Sequence, residues 1–174
     1  MREMKIYIDT GPALAYIITN DPNHEIAENL ISKRKESEFY LSELSIAEIA
    51  SVLSRNIDLI QVENIYLNGL SAKDKVLVLL LYTIKKLNAK ILKFRDILGD
   101  YIFFANDKIL SKLFRKTIEL AAKIKLRTLD LLHLIIASEC KIDAFLTLDK
   151  EIIKRARLIE STINLEIIPK SFNK

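Results

Sequence analysis

Five short apolar runs, separated by segments with helical spacing, constrain most strongly what this chain can fold into. Apolar residues that recur every three or four positions are typical of amphipathic helices, and such spacing occurs between the runs. Strands that alternate with helices and are apolar throughout favour a parallel sheet covered on both faces. The sequence therefore predicts a three-layer α/β/α fold. The expected strands are residues 5–8, 39–41, 89–94, 144–148 and 164–168.

The chain length and composition predict one domain. Hydrophobic residues make up 50% of the 174 positions and charged residues 29%, which is the balance of a folded protein. Two domains of this combined length would each have a small core, so we expect a single domain over residues 1–174. Residues 57–88 have a helical composition. We expect two helices there, with a break near residues 68–71, and therefore an enlarged helical region.

The apolar segments of the chain do not have the character of membrane spans. The most apolar stretch, residues 76–84, is much shorter than the roughly 20 apolar residues that a transmembrane helix needs, and lysines flank it. The first residues lack the apolar core and the small-residue cleavage site of a signal peptide. We therefore expect a cytoplasmic protein that does not associate with membranes.

The positive charge of the chain is concentrated in one segment. The net charge is +4, but residues 85–127 contain twelve Lys or Arg and four acidic residues, so this segment carries +8 and the remainder −4. A basic segment can attract a polyanion such as RNA, although lysine-rich solvated helices produce the same pattern. Three aromatic residues in this segment could stack on bases or pack against the sheet or a second subunit. They are Tyr101, Phe103 and Phe104.

Two acidic residues stand where predicted strands end. Asp9 directly follows the apolar run 5–8, and Asp149 directly follows the run 144–148. Ligands of parallel α/β sheets bind at the carboxyl ends of the strands. Because those ends meet at one edge of the sheet, we expect Asp9 and Asp149 to project from the same edge.

The sequence positions of two further acids indicate a shared site less strongly. Asp130 lies in the first turn of a predicted helix, where a carboxylate also stabilises the helix dipole. Glu48 lies within a predicted helix among apolar neighbours, and a carboxylate turned into the protein needs a partner such as a cation. Four carboxylates at one edge would repel one another unless a divalent cation neutralised them. Oxygen ligands suit Mg²⁺ or Mn²⁺, and metal-activated water suits phosphodiester hydrolysis.

Four motifs resemble those of the PIN-domain family. In that family an Asp closes the first strand, as Asp9 does in IYIDTGPALAYI, and a Glu lies on the helix after the second strand, as Glu48 does in LSELSIAEIASVL. A third acid opens a helix in the pattern D-x-x-H-L-x-x-A, which matches Asp130 in LRTLDLLHLIIASECKIDAFLTLDKEI. The fourth closes a strand in the pattern T-x-D, which matches Asp149 in the same stretch. The resemblance covers most of residues 4–170.

This resemblance implies a five-stranded parallel sheet and a Mg²⁺- or Mn²⁺-dependent endoribonuclease. It makes Asp9, Glu48, Asp130 and Asp149 both the metal ligands and the catalytic residues, with RNA as the substrate and a homodimer as a frequent assembly. Many small members resemble VapC toxins, which a partner antitoxin holds inactive. Glu48 and Asp130 are 82 positions apart, farther than is typical of compact toxins of the family. We expect the additional length in residues 57–88.

Other functions are compatible with the same residues. A PIN-fold nuclease could process RNA without any antitoxin, and a non-catalytic module could keep the fold and use basic helices to bind RNA or protein. Receiver proteins with acidic metal sites are also doubly wound, but they usually place two acids near the first strand, where this chain has only Asp9.

Three residues near the acids have ordinary structural interpretations. His133 has apolar neighbours in the sequence, and we expect a histidine that is buried in the core with its hydrogen bonds satisfied, rather than a metal ligand or a general base. Thr10 and Thr147 flank the acids and could orient metal-bound waters. Thr10 could equally serve only to start a helix.

Overall fold

A computed structural model describes residues 2–93, 101–104 and 108–171, the side chains of residues 101–104 and 108–112 excepted. Its centre is a five-stranded sheet. The strands are β1 (Lys5–Ile8), β2 (Glu38–Ser42), β3 (Lys90–Leu92), β6 (Ala144–Leu146) and β7 (Glu166–Ile168). Their order in the sheet is β3-β2-β1-β6-β7. Every neighbouring pair is parallel, so the predicted fold class and the five predicted strands are confirmed.

Eight helices connect and cover the strands in the described part of the chain. Within that part, no helix is long and apolar enough to cross a membrane. The helices are α1 (Thr10–Ile17), α2 (His24–Ser32), α3 (Glu43–Asn56), α4 (Ala72–Leu87), α5 (Lys112–Ile124), α6 (Thr128–Glu139), α7 (Lys150–Lys154) and α8 (Ala156–Ile163).

Both faces of the sheet are buried, because successive side chains of a strand point to opposite faces. On β1, Ile6 and Ile8 pack with buried residues of α1, α3 and α4. Tyr7, between them, packs with Phe145 of β6 and with buried residues of α5 to α8. The central strand β1 therefore contacts an apolar layer on each face, as expected of a parallel sheet between two helical layers.

The expectation of two helices over residues 57–88 is wrong in its first half. Residues 57–71 form turns and irregular structure, and only α4 is helical. Asn64 and Gly69 have positive φ angles of 60° and 79°, which interrupt a right-handed helix. Five apolar residues of this stretch instead pack, partly buried, against the core that includes residues of α1, α3 and α4. They are Ile57, Ile60, Val62, Ile65 and Leu67.

A second sheet of two antiparallel strands was not predicted from the sequence. It consists of β4 (Tyr101–Phe104) and β5 (Lys108–Ser111). The apolar spacing predicts a helix over residues 107–125, but α5 begins only at Lys112 because the residues before it pair with β4. The apolar periodicity of a segment does not predict which other segment it will pair with. The expected roles of the Tyr101, Phe103 and Phe104 side chains lie outside the described residues.

Candidate functional site

The ends of β1 and β6 bring two acids to the same edge of the sheet. The Asp9 backbone N–H donates to the Leu146 carbonyl at 2.9 Å, so the pairing of β1 with β6 continues to the point where Asp9 begins α1. Asp149 follows β6 and begins α7. The strand ends therefore bring both residues to the same edge of the sheet, as predicted, and both line one cleft there.

One cleft of about 470 Å³ contains all four predicted acids. Asp9 and Asp149 come from the strand ends, Glu48 from the middle of α3, and Asp130 from the first turn of α6. Four separate elements thus contribute one carboxylate each to the carboxyl edge of the sheet. Arg127 and His133 line the same cleft.

The Asp9 carboxylate is held by two hydrogen bonds. Its Oδ1 accepts the Thr10 backbone N–H at 2.8 Å and its Oδ2 accepts the Thr147 hydroxyl at 2.7 Å. Burial raises the pKa of Asp9 above its ordinary value, although His133 and the two hydrogen bonds act in the opposite direction. The ionised carboxylate is therefore under-compensated by the protein, and a cation in the cleft would stabilise it.

Thr147 joins Asp9 to Asp149. This fully buried threonine donates to Asp9 and accepts the Asp149 backbone N–H at 3.0 Å. Asp149 in turn accepts the Glu151 and Ile152 backbone N–H groups at 2.7 Å and 3.4 Å, which caps α7. Both threonines contact the acids directly, Thr147 at Asp9 and Thr10 at Glu48; their expected role in orienting metal-bound waters stays a prediction.

Arg127 bridges two of the acids, and the sequence did not single it out. Its Nε donates to Asp130 Oδ2 at 3.0 Å and its Nη2 donates to Asp149 Oδ2 at 2.8 Å. The side chain is 77% exposed, so the bridge stands at the mouth of the cleft and contributes little to stability. Its position three residues before Asp130, at the start of α6, is a signal that could have found it.

Glu48 is anchored through one oxygen. Its Oε2 accepts the Thr10 hydroxyl at 2.7 Å and lies 2.7 Å from His133 Nε2. The hydrogen bond from His133 is the largest cause that lowers the pKa of Glu48, so this carboxyl group is ionised at neutral pH. His133 is 2% exposed and is a satisfied core histidine, as predicted, but its contact with Glu48 was not foreseen.

Tyr7 lies behind His133 and was also not singled out. Its hydroxyl is 2.7 Å from His133 Nδ1. Burial raises the pKa of Tyr7 well above its ordinary value, so the phenol stays protonated at neutral pH. A hydroxyl between the two isoleucines of the strand KIYI is the sequence signal that could have pointed to this residue.

The donor set fits a hard divalent cation in its chemistry. Carboxylate oxygens are the ligands that Mg²⁺ and Mn²⁺ prefer, and four carboxylate side chains line the cleft. In the side chains that the structure describes, however, no three His, Cys, Asp or Glu lie close enough together to hold a metal as they stand. Arg127 occupies oxygens of Asp130 and Asp149, so a metal that used those oxygens would have to displace the guanidinium.

Comparison with known proteins identifies the family. The fold and the site define a class of α/β proteins that have a parallel sheet with acidic residues at its carboxyl edge. The family model of the PIN domain matches residues 6–158. The chain therefore belongs to the PIN-domain family. No functionally curated protein matches it.

Two solved structures have a similar fold. One is VapC20 from Mycobacterium tuberculosis, described as a sarcin–ricin loop cleaving toxin, with 15% identity, a TM-score of 0.52 and coverage of 83% of this chain and 90% of that chain. The other is VapBC2 from Rickettsia felis, bound to a DNA fragment from its promoter. It has 16% identity, a TM-score of 0.51 and coverage of 94% of this chain and 98% of that chain. At these identities the likeness shows the shared fold.

Proposed function

We propose that this protein is an endoribonuclease that hydrolyses RNA phosphodiester bonds with Mg²⁺ or Mn²⁺. The observation that carries the proposal is the convergence of four carboxylates, from four elements of a PIN-family chain, in one cleft. The proposed metal-binding and catalytic residues are Asp9, Glu48, Asp130 and Asp149.

The bound metal would activate a water molecule and offset the charge of the scissile phosphate. The chain itself supplies orientation and charge. Thr10 contacts Asp9 through its backbone N–H and Glu48 through its hydroxyl, which fixes these two carboxylates relative to each other. Arg127 places a positive charge at the cleft mouth, where an RNA phosphate could replace a carboxylate as its partner.

The proposal extends to a toxin that an antitoxin inhibits, because one fold neighbour is a VapC toxin and the other is a VapBC2 complex. Co-purification with the product of an adjacent small gene would support this role. A solitary gene beside RNA-processing genes would favour a nuclease without an antitoxin. The proposal also includes a single domain over residues 1–174, a homodimer and a cytoplasmic location.

Metal removal is expected to stop cleavage. We expect the purified protein to cut a labelled RNA with Mn²⁺ or Mg²⁺, to lose that activity in EDTA, and to regain it when Mn²⁺ is added in excess. Gel analysis of single-stranded and hairpin RNAs measures all three states. Cleavage that persists in EDTA would contradict a metal-dependent mechanism. Binding of RNA without cleavage, with either metal, would instead support the non-catalytic module.

Replacement of Arg127 by Gln is expected to change metal and RNA affinity in opposite directions. Loss of one positive charge beside Asp130 and Asp149 should tighten Mn²⁺ binding roughly threefold to tenfold, the effect of one charge at short range in a partly solvated site. RNA binding should weaken, because fewer phosphate charges are neutralised. Calorimetry with Mn²⁺ and fluorescence anisotropy with RNA measure the two affinities.

Arg157→Gln is the matched control, since Arg157 is exposed on α8 and does not line the cleft. It removes the same charge and should leave Mn²⁺ affinity unchanged. Equal behaviour of the two variants would show that the bridge made by Arg127 does not compete with the metal.

A further inference from the structure

A buried hydrogen-bonded network leads from β1 to the floor of the cleft. The Tyr7 hydroxyl lies 2.6 Å from Ser42 Oγ, 2.9 Å from Ser45 Oγ and 2.7 Å from His133 Nδ1. His133 Nε2 then lies 2.7 Å from Glu48 Oε2. Tyr7, Ser42 and Ser45 are fully buried, so water does not compete for these contacts. We call Tyr7, Ser42, Ser45 and His133 the tyrosine–histidine network.

The backbone contacts of the two serines indicate where their protons go. Ser42 and Ser45 form the capping box of α3, in which each hydroxyl oxygen accepts the backbone N–H of the other residue. Their hydroxyl protons are therefore left to donate, and the Tyr7 oxygen is their nearest acceptor. The alternative contact between the two serine hydroxyls is longer, at 3.3 Å.

This arrangement selects one tautomer of His133. Because the Tyr7 oxygen receives the serine protons, its own proton is directed to His133 Nδ1. A nitrogen that accepts a proton donor carries no hydrogen in the neutral ring, so the hydrogen of the imidazole lies on Nε2. Nε2 faces Glu48 Oε2, where it donates to the carboxylate. The whole network then has one consistent direction of donation, from the serines to Glu48.

The network contacts Glu48, a residue of α3 that lines the cleft. Ser45 and Glu48 are three positions apart and thus on one face of the helix. Oε2 of Glu48 receives both the His133 and Thr10 donors, whereas the structure records no donor to Oε1 among the described residues. The anchored oxygen sets the rotation of the carboxylate and leaves Oε1 for a ligand in the cleft.

A phenylalanine at position 7 would fill the same space between the sheet and α6 without needing any partner. Each buried polar group of the network has to be hydrogen-bonded to avoid a desolvation cost. Packing alone therefore does not require the hydroxyl of Tyr7. Its distinct contribution is a proton donor to Nδ1, which holds the His133 ring with Nε2–H on Glu48.

We propose that Tyr7 and His133 are positioning residues, in which the Tyr7 hydroxyl donates to His133 Nδ1 and holds the ring with its Nε2–H on Glu48, and His133 thereby orients Glu48 toward the metal. This inference rests on the proposed function for the role of Glu48. The tautomer itself is independent of that function and can be measured without metal or RNA.

Long-range ¹H–¹⁵N NMR of the wild-type protein tests the tautomer directly. The chain has two histidines, so a His24→Gln variant assigns the signals of His133. His24 contacts the Ala15 carbonyl and lies outside the network. We expect the hydrogen of His133 on Nε2 near neutral pH. A hydrogen on Nδ1, or on both nitrogens, would overturn the proposal even if no variant could be purified.

The Tyr7→Phe variant tests the positioning role. We expect the ¹⁵Nδ1 signal of His133 to shift, because Nδ1 loses its proton donor. We also expect about tenfold weaker Mn²⁺ binding, the effect typical of losing a group that orients a metal ligand. The matched control is Tyr40→Phe, on the neighbouring strand, because the Tyr40 hydroxyl donates to Glu38 instead of to the network. The control should keep the wild-type Nδ1 signal and Mn²⁺ affinity.

An unchanged Nδ1 signal and unchanged Mn²⁺ affinity in folded Tyr7→Phe would overturn the positioning role. Ser45→Ala provides a second variant, in which the loss of one donor to Tyr7 should move the Nδ1 signal in the same direction. If Tyr7→Phe behaves as expected but wild-type protein cleaves no RNA, the nuclease proposal fails and the positioning role stands. Wild-type protein that binds no Mn²⁺ overturns both proposals.

Discussion

Asp9→Asn is expected to abolish metal-dependent RNA cleavage while leaving the protein folded. Asn keeps an oxygen that can accept the Thr10 backbone N–H. Its amide group can donate to the Thr147 hydroxyl, which is the donor to Asp9 in the wild-type protein. The variant therefore loses the charge but keeps the contacts. Removal of groups that only orient metal ligands costs about 10- to 100-fold, so loss of a ligand should lower the rate by more than about 100-fold.

The stability of Asp9→Asn separates a catalytic defect from a folding defect. The folded-state pKa of Asp9 is raised by burial, so the unfolded chain ionises first as pH rises through the ordinary carboxyl range. Ionisation of Asp9 therefore lowers the free energy of unfolding above that pH range. It has no effect at lower pH, where Asp9 is protonated in the folded and in the unfolded chain. At neutral pH without metal, the variant should unfold at the same temperature as wild type or a higher one. It should also lose the stabilisation that Mn²⁺ confers.

Asp58→Asn is the control for the charge change. Asp58 is 82% exposed and pairs only loosely with Lys75 at 3.4 Å, outside the cleft. The control should cleave RNA at the wild-type rate. Undiminished cleavage by Asp9→Asn, in protein freed of contaminating nucleases, would contradict the assignment of Asp9 as a metal ligand.

Phe145→Ala is expected to cause the largest loss of stability. Phe145 is fully buried on β6 and stacks on Tyr7, with ring centroids 5.3 Å apart and planes inclined by 12°. Truncation of a core phenylalanine to alanine removes its transfer free energy and leaves a cavity, at a cost of about 3–5 kcal/mol. Urea unfolding, monitored by circular dichroism, measures the change in the free energy of unfolding.

Tyr66→Ala is the matched aromatic truncation at the surface. Tyr66 is 81% exposed and lies in the irregular stretch before α4, so the expected change is within about 0.5 kcal/mol. A similar loss in both variants would mean that the layer beneath Tyr7 is not packed as described. Because Phe145 supports the ring of Tyr7, a folded Phe145→Ala protein should also bind Mn²⁺ more weakly.

Much of the fold could be predicted because the signals are local. The runs around Ile6, Leu41 and Phe145 are apolar and short, and the segments between them have helical periodicity, so strand positions and fold class followed directly. Residues 57–71 and the hairpin of β4 and β5 did not follow. In the first case single residues with positive φ interrupt an otherwise helical composition. In the second, antiparallel pairing between two segments that are neighbours in sequence overrides the helical spacing.

The acidic site was predicted by two arguments of different kinds. The placement of Asp9 and Asp149 followed from the geometry of parallel strands. Glu48 and Asp130 were assigned by resemblance to the PIN-domain family, because a carboxylate on a helix has no comparable positional constraint. The structure places all four in one cleft, and their roles are the subject of the proposals above.

The sequence by itself determined the layers of the sheet, the family and the identity of the four acids, since these depend on local pattern and on motifs. Only the tertiary structure decided what each acid contacts. It brought Arg127 to Asp149 across 22 positions and His133 to Glu48 across 85. Such contacts depend on how α3 and α6 pack against the end of β1. Packing depends on the whole core, so it cannot be predicted from a local sequence pattern.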